Sequence, residues 1–334
     1  MARHRTELPQ REDRLFLTDG GLETTLIFLD GHELPYFAAF DLINSEHGRN
    51  ALLAYYRSYL SIAAAHGLGF IFESPTWRAS SDWGDKLGYS AAALADVNRR
   101  SIDLMVELRD AHQTKDAPMV ISGCVGPRGD GYDPGRLMNV AQAEAYHASQ
   151  IATFSETQAD MVTAITMTNA NEAIGITRAA VAAGMPVAIS FTLETDGRLP
   201  TGQSLQEAIE AVDAATRRAP AYYMINCAHP THFEAALPVG ANWVQRLRGI
   251  RANASQRSHA ELDQAKDLDA GDPAELGRQY RTLRRKFGHL NVLGGCCGTD
   301  HRHVEQICLA CVAADAPTRI AWARALQHFP ARGD

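Results

Sequence analysis

Three of the six cysteines stand where thiolates can share a metal ion. Cys296 and Cys297 are adjacent within the glycine-rich range Gly294–Thr299, and Cys227 follows Asn226 at the end of a short apolar run. A catalytic zinc needs three protein ligands in a tetrahedral arrangement, which leaves the fourth position open to water or substrate. Flanking glycines favour such a site, because two consecutive side chains reach one ion only with unusual backbone conformations. Buried or redox-active thiols are the alternative interpretation.

The elements that position these cysteines are indicated by apolar runs, each followed by Gly, Asn or Thr and then by a segment of helical periodicity. The predicted strands are Leu15–Asp19, Gly69–Glu73, Met119–Gly123, Asp160–Ile165, Val187–Thr192, Tyr222–Cys227, Arg248–Asn253 and Asn291–Cys296. Leu52, Tyr56 and Leu60 show the helical spacing between the first two strands. Eight alternating strands and helices predict an α/β fold, a single (β/α)8 TIM barrel.

Active sites of such barrels lie at the carboxyl ends of the strands. Cys227 ends the predicted sixth strand and Cys296 ends the eighth, so both belong to the same rim although they are far apart in sequence. We therefore expect Cys227, Cys296 and Cys297 to converge on one point of the active site.

The composition is that of a folded globular protein, with 334 residues, 46% hydrophobic and 21% charged. The formal charge of −7 gives no long-range attraction for nucleic acid or anionic lipid, so neither is an expected partner. The first 14 residues lack an apolar signal core, and no stretch approaches the ~18 apolar residues of a membrane span. A cytoplasmic location is expected.

No linker or low-complexity tract divides the chain, so we expect one domain over residues 1–334. The polar segment Ala254–Pro273 is predicted to be a long loop after the seventh strand, on the catalytic face. Two interpretations of this loop stay open: a lid or an oligomer contact, and a solvated excursion. A homo-oligomer also stays open.

Short motifs recur at the strand ends along nearly the whole chain. They are Asp19-Gly20-Gly21, Gly123–Pro127, Ser190-Phe191-Thr192, Asp196-Gly197, Gly202, Asn226-Cys227 and Gly294–Thr299. Together they resemble the motifs of the homocysteine S-methyltransferase family, which includes the betaine-dependent enzyme and the homocysteine-binding module of methionine synthases. The resemblance implies a barrel whose Zn²⁺ is bound by Cys227, Cys296 and Cys297, with the acceptor's sulfur as fourth ligand. A methyl group from a small donor then moves to that sulfur, and homocysteine gives methionine. The substrate contacts expected on this basis are Asp19, Gly20, Thr76, Thr166 and Asn226.

The family's Glu-Thr pair at strand four, whose carboxylate holds the amino group of homocysteine, is replaced by Ile165-Thr166. An apolar side chain cannot hydrogen-bond an ammonium group, and burying that charge without a partner is costly. Either another acid such as Asp19, Glu73 or Glu194 takes over, or the acceptor is a thiol without the amino group.

A second departure is Arg251-Ala252-Asn253, which stands where the family usually has Tyr-Pro-Asn. Two rival functions stay open: methyl transfer to a different thiol or selenol, and zinc or thiol binding without catalysis. Product formation distinguishes the second rival. With no nucleotide motif and no cobalamin module in the sequence, the donor is expected to be a free small molecule or a separate partner.

Three further signals have two interpretations each. Cys308 and Cys311 have redox spacing, but buried helix packing is favoured. His301 and His303 offer a fourth zinc ligand, but the first turn of the last helix is favoured for them. The aromatic residues after strand two form either a wall for a cationic methyl group or ordinary loop packing. They are Trp77, Trp83 and Tyr89.

Overall fold

The structure is a computed structural model and describes residues 1–312. Eight parallel strands form a closed barrel in chain order, with the last strand paired to the first. The strands are β1 Phe16–Leu17, β2 Gly69–Glu73, β3 Met119–Val125, β4 Met161–Met167, β5 Val187–Thr192, β6 Tyr222–Asn226, β7 Leu247–Ala252 and β8 Val292–Gly295. The predicted (β/α)8 barrel is confirmed, and each predicted strand overlaps an observed one.

Helices surround the barrel and are joined to the strands by loops. The α-helices of the described residues are α1 Leu22–Thr24, α2 Glu46–Ala65, α3 Ser81–Lys86, α4 Ala91–His112, α5 Val140–Ser155, α6 Ala170–Ala182, α7 Leu205–Thr216, α8 Pro230–Phe233, α9 His259–Asp263, α10 Pro273–Lys286 and α11 at 301–312. The predicted apolar face of α2 is buried at Leu52, Tyr56 and Leu60. Within residues 1–312, no helix combines the length and apolarity that a bilayer crossing requires.

The inside of the barrel has its own small core, separate from the larger one between strands and helices. It contains Phe16, Ile71, Val120, Met161 and Val292, one from each of five strands. Side chains alternate along a strand, so Glu73, two residues after Ile71, belongs to the same inner face, nearer the carboxyl end. The inner face of β2 therefore ends in a carboxylate.

The amino end of the barrel is closed by the N-terminal segment. The buried carboxylate of Asp160 accepts hydrogen bonds from the backbone amides of Arg3 at 2.7 Å, His4 at 2.8 Å and Ile121 at 2.9 Å. The buried guanidinium of Arg109 completes this set at 3.2 Å. Backbone and side-chain donors together satisfy a charge that is costly to bury alone. This end is thus a stability element, and the opposite rim is free for chemistry.

The segment predicted as a long polar loop, Ala254–Pro273, is partly helical. Its helix α9 begins with a capping box in which Ser258 and Glu261 satisfy each other's backbone amides. Of the single domain predicted over 1–334, residues 313–334 lie outside the described part of the chain. In α11, Cys308 and Cys311 are buried in the main core, as the packing interpretation predicts.

Candidate active site

The structure brings together the three cysteines that the sequence singles out. The Sγ atoms of Cys227, Cys296 and Cys297 all lie within 4.8 Å of one another at the carboxyl-end rim. The sulfurs of Cys227 and Cys297 are 3.8 Å apart. Those of Cys227 and Cys296 are joined as a disulfide, with Cα atoms 5.5 Å apart. Strands β6 and β8 therefore deliver three sulfurs to one point.

Cys227 follows β6, because its φ of 50° is left-handed and ends the extended strand one residue earlier than predicted. Asn226 fixes the adjacent backbone. Its Oδ1 accepts from the Thr166 amide at 2.9 Å and from the Ser190 hydroxyl at 2.6 Å, while its Nδ2 donates to the Thr166 hydroxyl at 2.8 Å. Thr166 is also left-handed, with φ 67°. This network supports two conformations that cost about 1–3 kcal/mol each for residues with a Cβ.

The glycines around the cysteine pair have two different roles. A Cβ on Gly294 would lie 1.9 Å from the Thr18 hydroxyl, and one on Gly295 would lie 2.0 Å from the Thr299 hydroxyl. These two positions therefore require glycine because a neighbouring threonine side chain packs directly against the backbone. Only Gly298, with φ 78°, needs the conformational freedom that the sequence suggests for all of them.

The three cysteines line a pocket with about 920 Å³ of empty space, open to solvent. Of the expected substrate contacts, Asp19 and Thr166 line it too. Gly20, Thr76 and Asn226 are buried and are not part of that lining. The Thr76 hydroxyl donates to the Cys124 carbonyl at 2.7 Å. The remaining charged residues of the lining are Glu23, Glu73, Arg78, Asp130, Arg251 and Asp263.

Arg251, one of the departures from the family pattern, is buried against Asp19. Its Nη1 lies 2.9 Å from Asp19 Oδ1, and the Tyr55 hydroxyl donates to Asp19 Oδ2 at 3.0 Å. Its other nitrogens donate to the carbonyls of Gly295 at 3.1 Å and Gly20 at 3.2 Å. Burial alone lowers the pKa of Arg251, but the carboxylates of Asp19 and Glu73 hold that pKa above its usual value. Arg251 thus joins β7, β8 and the loop after β1.

Two carboxyl groups of the pocket are unusually basic. Burial raises the pKa of Glu73 to about 7, although the Arg251 charge and the hydroxyls of Ser122 and Thr163 oppose this shift. Burial also raises the pKa of Glu23 to about 7. Glu73 is 5% exposed, and its Oε2 has no hydrogen-bond partner among the described residues, whereas Glu23 keeps partial exposure. Near neutral pH both groups change charge readily.

A tyrosine and a histidine that sequence reasoning missed lie beside the sulfurs. The Tyr132 hydroxyl donates to Cys297 Sγ at 3.4 Å, and the Tyr132 ring stacks on the His259 ring at 3.9 Å. His259 Nε2 lies 2.6 Å from the Cys227 carbonyl oxygen, and its Nδ1 lies 3.1 Å from Glu194 Oε1. The nearest sequence signals are the Gly123–Pro127 motif before Tyr132 and the polar segment Ala254–Pro273 around His259. Glu194 is outside the pocket lining.

The remaining sequence signals fall outside the sulfur cluster. His303 is occupied by Asp300 and by the Ala270 carbonyl, at 2.7 Å from Nε2. The Arg78 guanidinium covers the rings of Trp77 at 4.1 Å and Trp83 at 3.7 Å. The protein's own cation thus partly covers these rings, which favours ordinary packing over a wall for a cationic methyl group. Tyr89 pairs instead with Asp41 and Asn44, outside the pocket lining.

Burial raises the pKa of the Cys297 thiol to about 11, so it is protonated at neutral pH unless a positive charge is nearby. Without a nearby cation, Cys297 would therefore be a thiol. Burial likewise raises the pKa of Tyr132 well above its usual value, which keeps its hydroxyl a donor. Sulfurs gathered in this way are suited to a soft divalent cation.

The comparisons with known proteins agree with the fold and motifs. The structure is similar to that of homocysteine methyltransferase MmuM from Escherichia coli in its oxidized form, with 18% identity, a TM-score of 0.71, and 90% of this chain and 97% of that chain covered. The metallated form of MmuM gives 19% identity, a TM-score of 0.68, and coverage of 90% and 96%. At these identities the likeness shows the fold. The family model described as homocysteine S-methyltransferase matches residues 16–311, and the chain therefore belongs to the homocysteine S-methyltransferase family and is a methyltransferase.

Proposed function

We propose that the protein moves a methyl group from a small donor to the thiol of homocysteine, with Zn²⁺ as cofactor. The observation that carries this proposal is the cluster of three sulfurs, all within 4.8 Å of one another, in the lining of a pocket at the catalytic rim. Donor and acceptor would both occupy that pocket.

The donor set fits zinc when the cysteines are reduced. Tetrahedral zinc with Zn–S bonds of ~2.3 Å separates its sulfurs by about 3.8 Å, and Cys227 and Cys297 have that separation. Cys296 joins the set once its bond to Cys227 is reduced. When bound there, zinc supplies a Lewis acid that favours the thiolate form of the acceptor. Cys227, Cys296 and Cys297 would hold it.

The chain's own residues orient and support this cluster. Tyr132 donates a hydrogen bond to Cys297 Sγ, and the Asn226 amide lies 3.9 Å from Cys296 Sγ, so both can offset negative charge on sulfur. His259 holds the Cys227 carbonyl from the loop after β7. A donor and an acceptor bound together in this pocket would react as neighbours and not by a bimolecular encounter.

A second candidate acceptor is a thiol without an amino group. The observation that favours it is that Ile165, in place of the family's glutamate, lines the same pocket as the sulfurs. Methyl transfer from sulfonium or ammonium donors is chemically compatible with either acceptor.

Methyl transfer is tested with reduced, zinc-loaded protein and a matrix of methyl donors and thiol acceptors, analysed by mass spectrometry. We expect homocysteine to gain one methyl group with at least one small donor. The matched control is protein stripped of metal by a chelator, which should give no product. Zinc and thiol binding without product from any donor would instead identify a binding protein that lacks catalysis.

Acceptor binding is expected to release about one proton per site at pH 7, because only the thiolate coordinates a metal. Calorimetry in buffers of different ionisation enthalpy measures this release as a change in apparent binding enthalpy. Metal-free protein is the control. An enthalpy that is the same in every buffer, with no compensating protonation in the control, would contradict direct ligation of the acceptor's sulfur.

A further inference from the structure

We propose that Glu73 determines acceptor specificity by binding the ammonium group of an amino-acid thiol, in place of the glutamate that Ile165 replaces. This inference rests on the proposed function and names the residue that would recognise its acceptor. It uses a strand-two residue on the inner face of the barrel, whereas the family pattern places the carboxylate on strand four.

The need for such a residue follows from the pocket itself. Ile165 lines it and offers no hydrogen bond, and Thr166 beside it already accepts from Asn226 through its hydroxyl. An ammonium group brought into this part of the pocket loses its water and requires an anionic partner. A neighbouring carboxylate is therefore needed if the acceptor carries an amino group.

Asp19 is already neutralised. Its Oδ1 forms an ion pair with Arg251 Nη1 at 2.9 Å without a hydrogen bond of good geometry, and its Oδ2 accepts a hydrogen bond from the Tyr55 hydroxyl at 3.0 Å. Arg251 is already in direct contact with Asp19, so the negative charge of Asp19 is balanced without a ligand. Glu194 is engaged by His259 and lies outside the lining, so it is also unsuitable.

The other acidic residues of the pocket lining are either exposed to solvent or paired with a cation. Asp130 binds Arg78 at 2.7 Å, and Asp263 is exposed on α9. Burial also raises the pKa of Glu23, but its side chain keeps partial exposure and neither of its carboxyl oxygens is a buried atom without a hydrogen-bond partner. It is therefore the best control residue.

Glu73 differs from all of these. It is more than nine-tenths buried, it belongs to the pocket lining, and its Oε2 is shielded from bulk water without a hydrogen-bond partner among the described residues. The charge of Arg251 acts on Glu73, but no ion pair within 4.0 Å joins the two among residues 1–312. A buried carboxylate oxygen in this state gains most from a cation supplied by a ligand.

The raised pKa of Glu73, about 7, agrees with a site that is completed by a ligand. An ammonium group favours the ionised carboxylate, so binding would draw Glu73 towards its charged form. Without a bound cation, the Glu73 carboxyl group is partly protonated at neutral pH, and this protonation lowers the free-energy cost of burying it.

The experiment compares two thiols that differ only in the amino group, homocysteine and 4-mercaptobutyrate. Their dissociation constants are measured by calorimetry on reduced, zinc-loaded protein, so no methyl donor is required. The native protein should bind homocysteine roughly ten- to hundred-fold more tightly. Glu73→Gln should remove most of this preference by weakening homocysteine alone, whereas Glu23→Gln should keep it.

Circular dichroism and thermal unfolding check that each variant is folded, and Glu73→Met replaces Glu73→Gln if the glutamine variant is not. The role of Glu73 would be overturned if a folded Glu73 variant lost affinity equally for both thiols. It would also be overturned if only Glu23→Gln lost affinity selectively for homocysteine. Equal binding of the two thiols by the native protein would also overturn it, while leaving methyl transfer intact. Binding of neither thiol would overturn the proposed function itself.

Discussion

Replacing Cys297 with serine is expected to abolish zinc binding and methyl transfer while leaving the barrel folded. A serine hydroxyl is not deprotonated under conditions that give a metal-bound thiolate, so the cluster keeps only two strong ligands. Loss of residues that merely support metal ligands costs about 10- to 100-fold, and removal of a ligand should exceed that. Elemental analysis measures the zinc, and turnover with the active donor measures the function.

The matched control for this variant is Cys124→Ser. Cys124 lines the same pocket and is buried, but it is outside the cluster of three sulfurs. The Cys124→Ser variant should therefore bind as much zinc as the native protein. Circular dichroism should be unchanged for both variants, because the core of the barrel is built from apolar side chains inside and outside the strands. Full zinc content and turnover in Cys297→Ser or Cys296→Ser would refute the assignment of the ligands.

The largest effect on stability is expected for Arg251→Met. Arg251 is 5% exposed and pairs with Asp19, which is 2% exposed. Removing one partner of a buried ion pair leaves the other charge without compensation, which typically costs about 3–5 kcal/mol. The carbonyls of Gly20 and Gly295 also lose their donors. Urea unfolding followed by circular dichroism measures the change in the free energy of unfolding.

The double variant Asp19→Asn with Arg251→Met is the control for this experiment. It removes both charges, so the double variant should be destabilised by less than the sum of the losses in unfolding free energy of Asp19→Asn and Arg251→Met. If the single variant Arg251→Met were as stable as the native protein, the Asp19–Arg251 pair would not contribute to the stability of the barrel. The hydrogen bond from the Tyr55 hydroxyl would then be enough to compensate the buried charge of Asp19.

The architecture was predictable because each strand is a separate apolar run with its own turn signal. The cysteines were predictable as neighbours because Cys227 and Cys296 both follow strands of one barrel, whose carboxyl ends share a rim. Strand boundaries were less accurate. The backbone at Cys227 turns left-handed next to Asn226, and the hydrogen bond of Asn226 with Thr166 on another strand is not visible in the local sequence.

The supporting residues were not predictable for the same reason. Tyr132 and His259 stack although they are far apart in sequence. Tyr132 lies in a loop and His259 begins the short helix α9, and the local sequence of neither shows the contact. The pairing of Asp19 with Arg251 likewise depends on barrel closure. Arg251 stands out in the sequence as a departure from the family pattern, but nothing there points to its partner. Contacts between side chains on different loops depend on register and closure, which a single sequence does not encode locally.

The stacked pair of Tyr132 and His259 gives the site a built-in spectroscopic reporter. Aromatic ring currents shift the resonances of protons held above a ring face, and the two ring centroids are only 3.9 Å apart with planes inclined by 13°. Tyr132 also touches Cys297, and His259 touches the Cys227 carbonyl. A rearrangement of the sulfurs that moves either ring therefore changes the chemical shifts of the His259 imidazole protons. NMR of this one histidine can thus follow the redox and ligand state of the pocket without an added label.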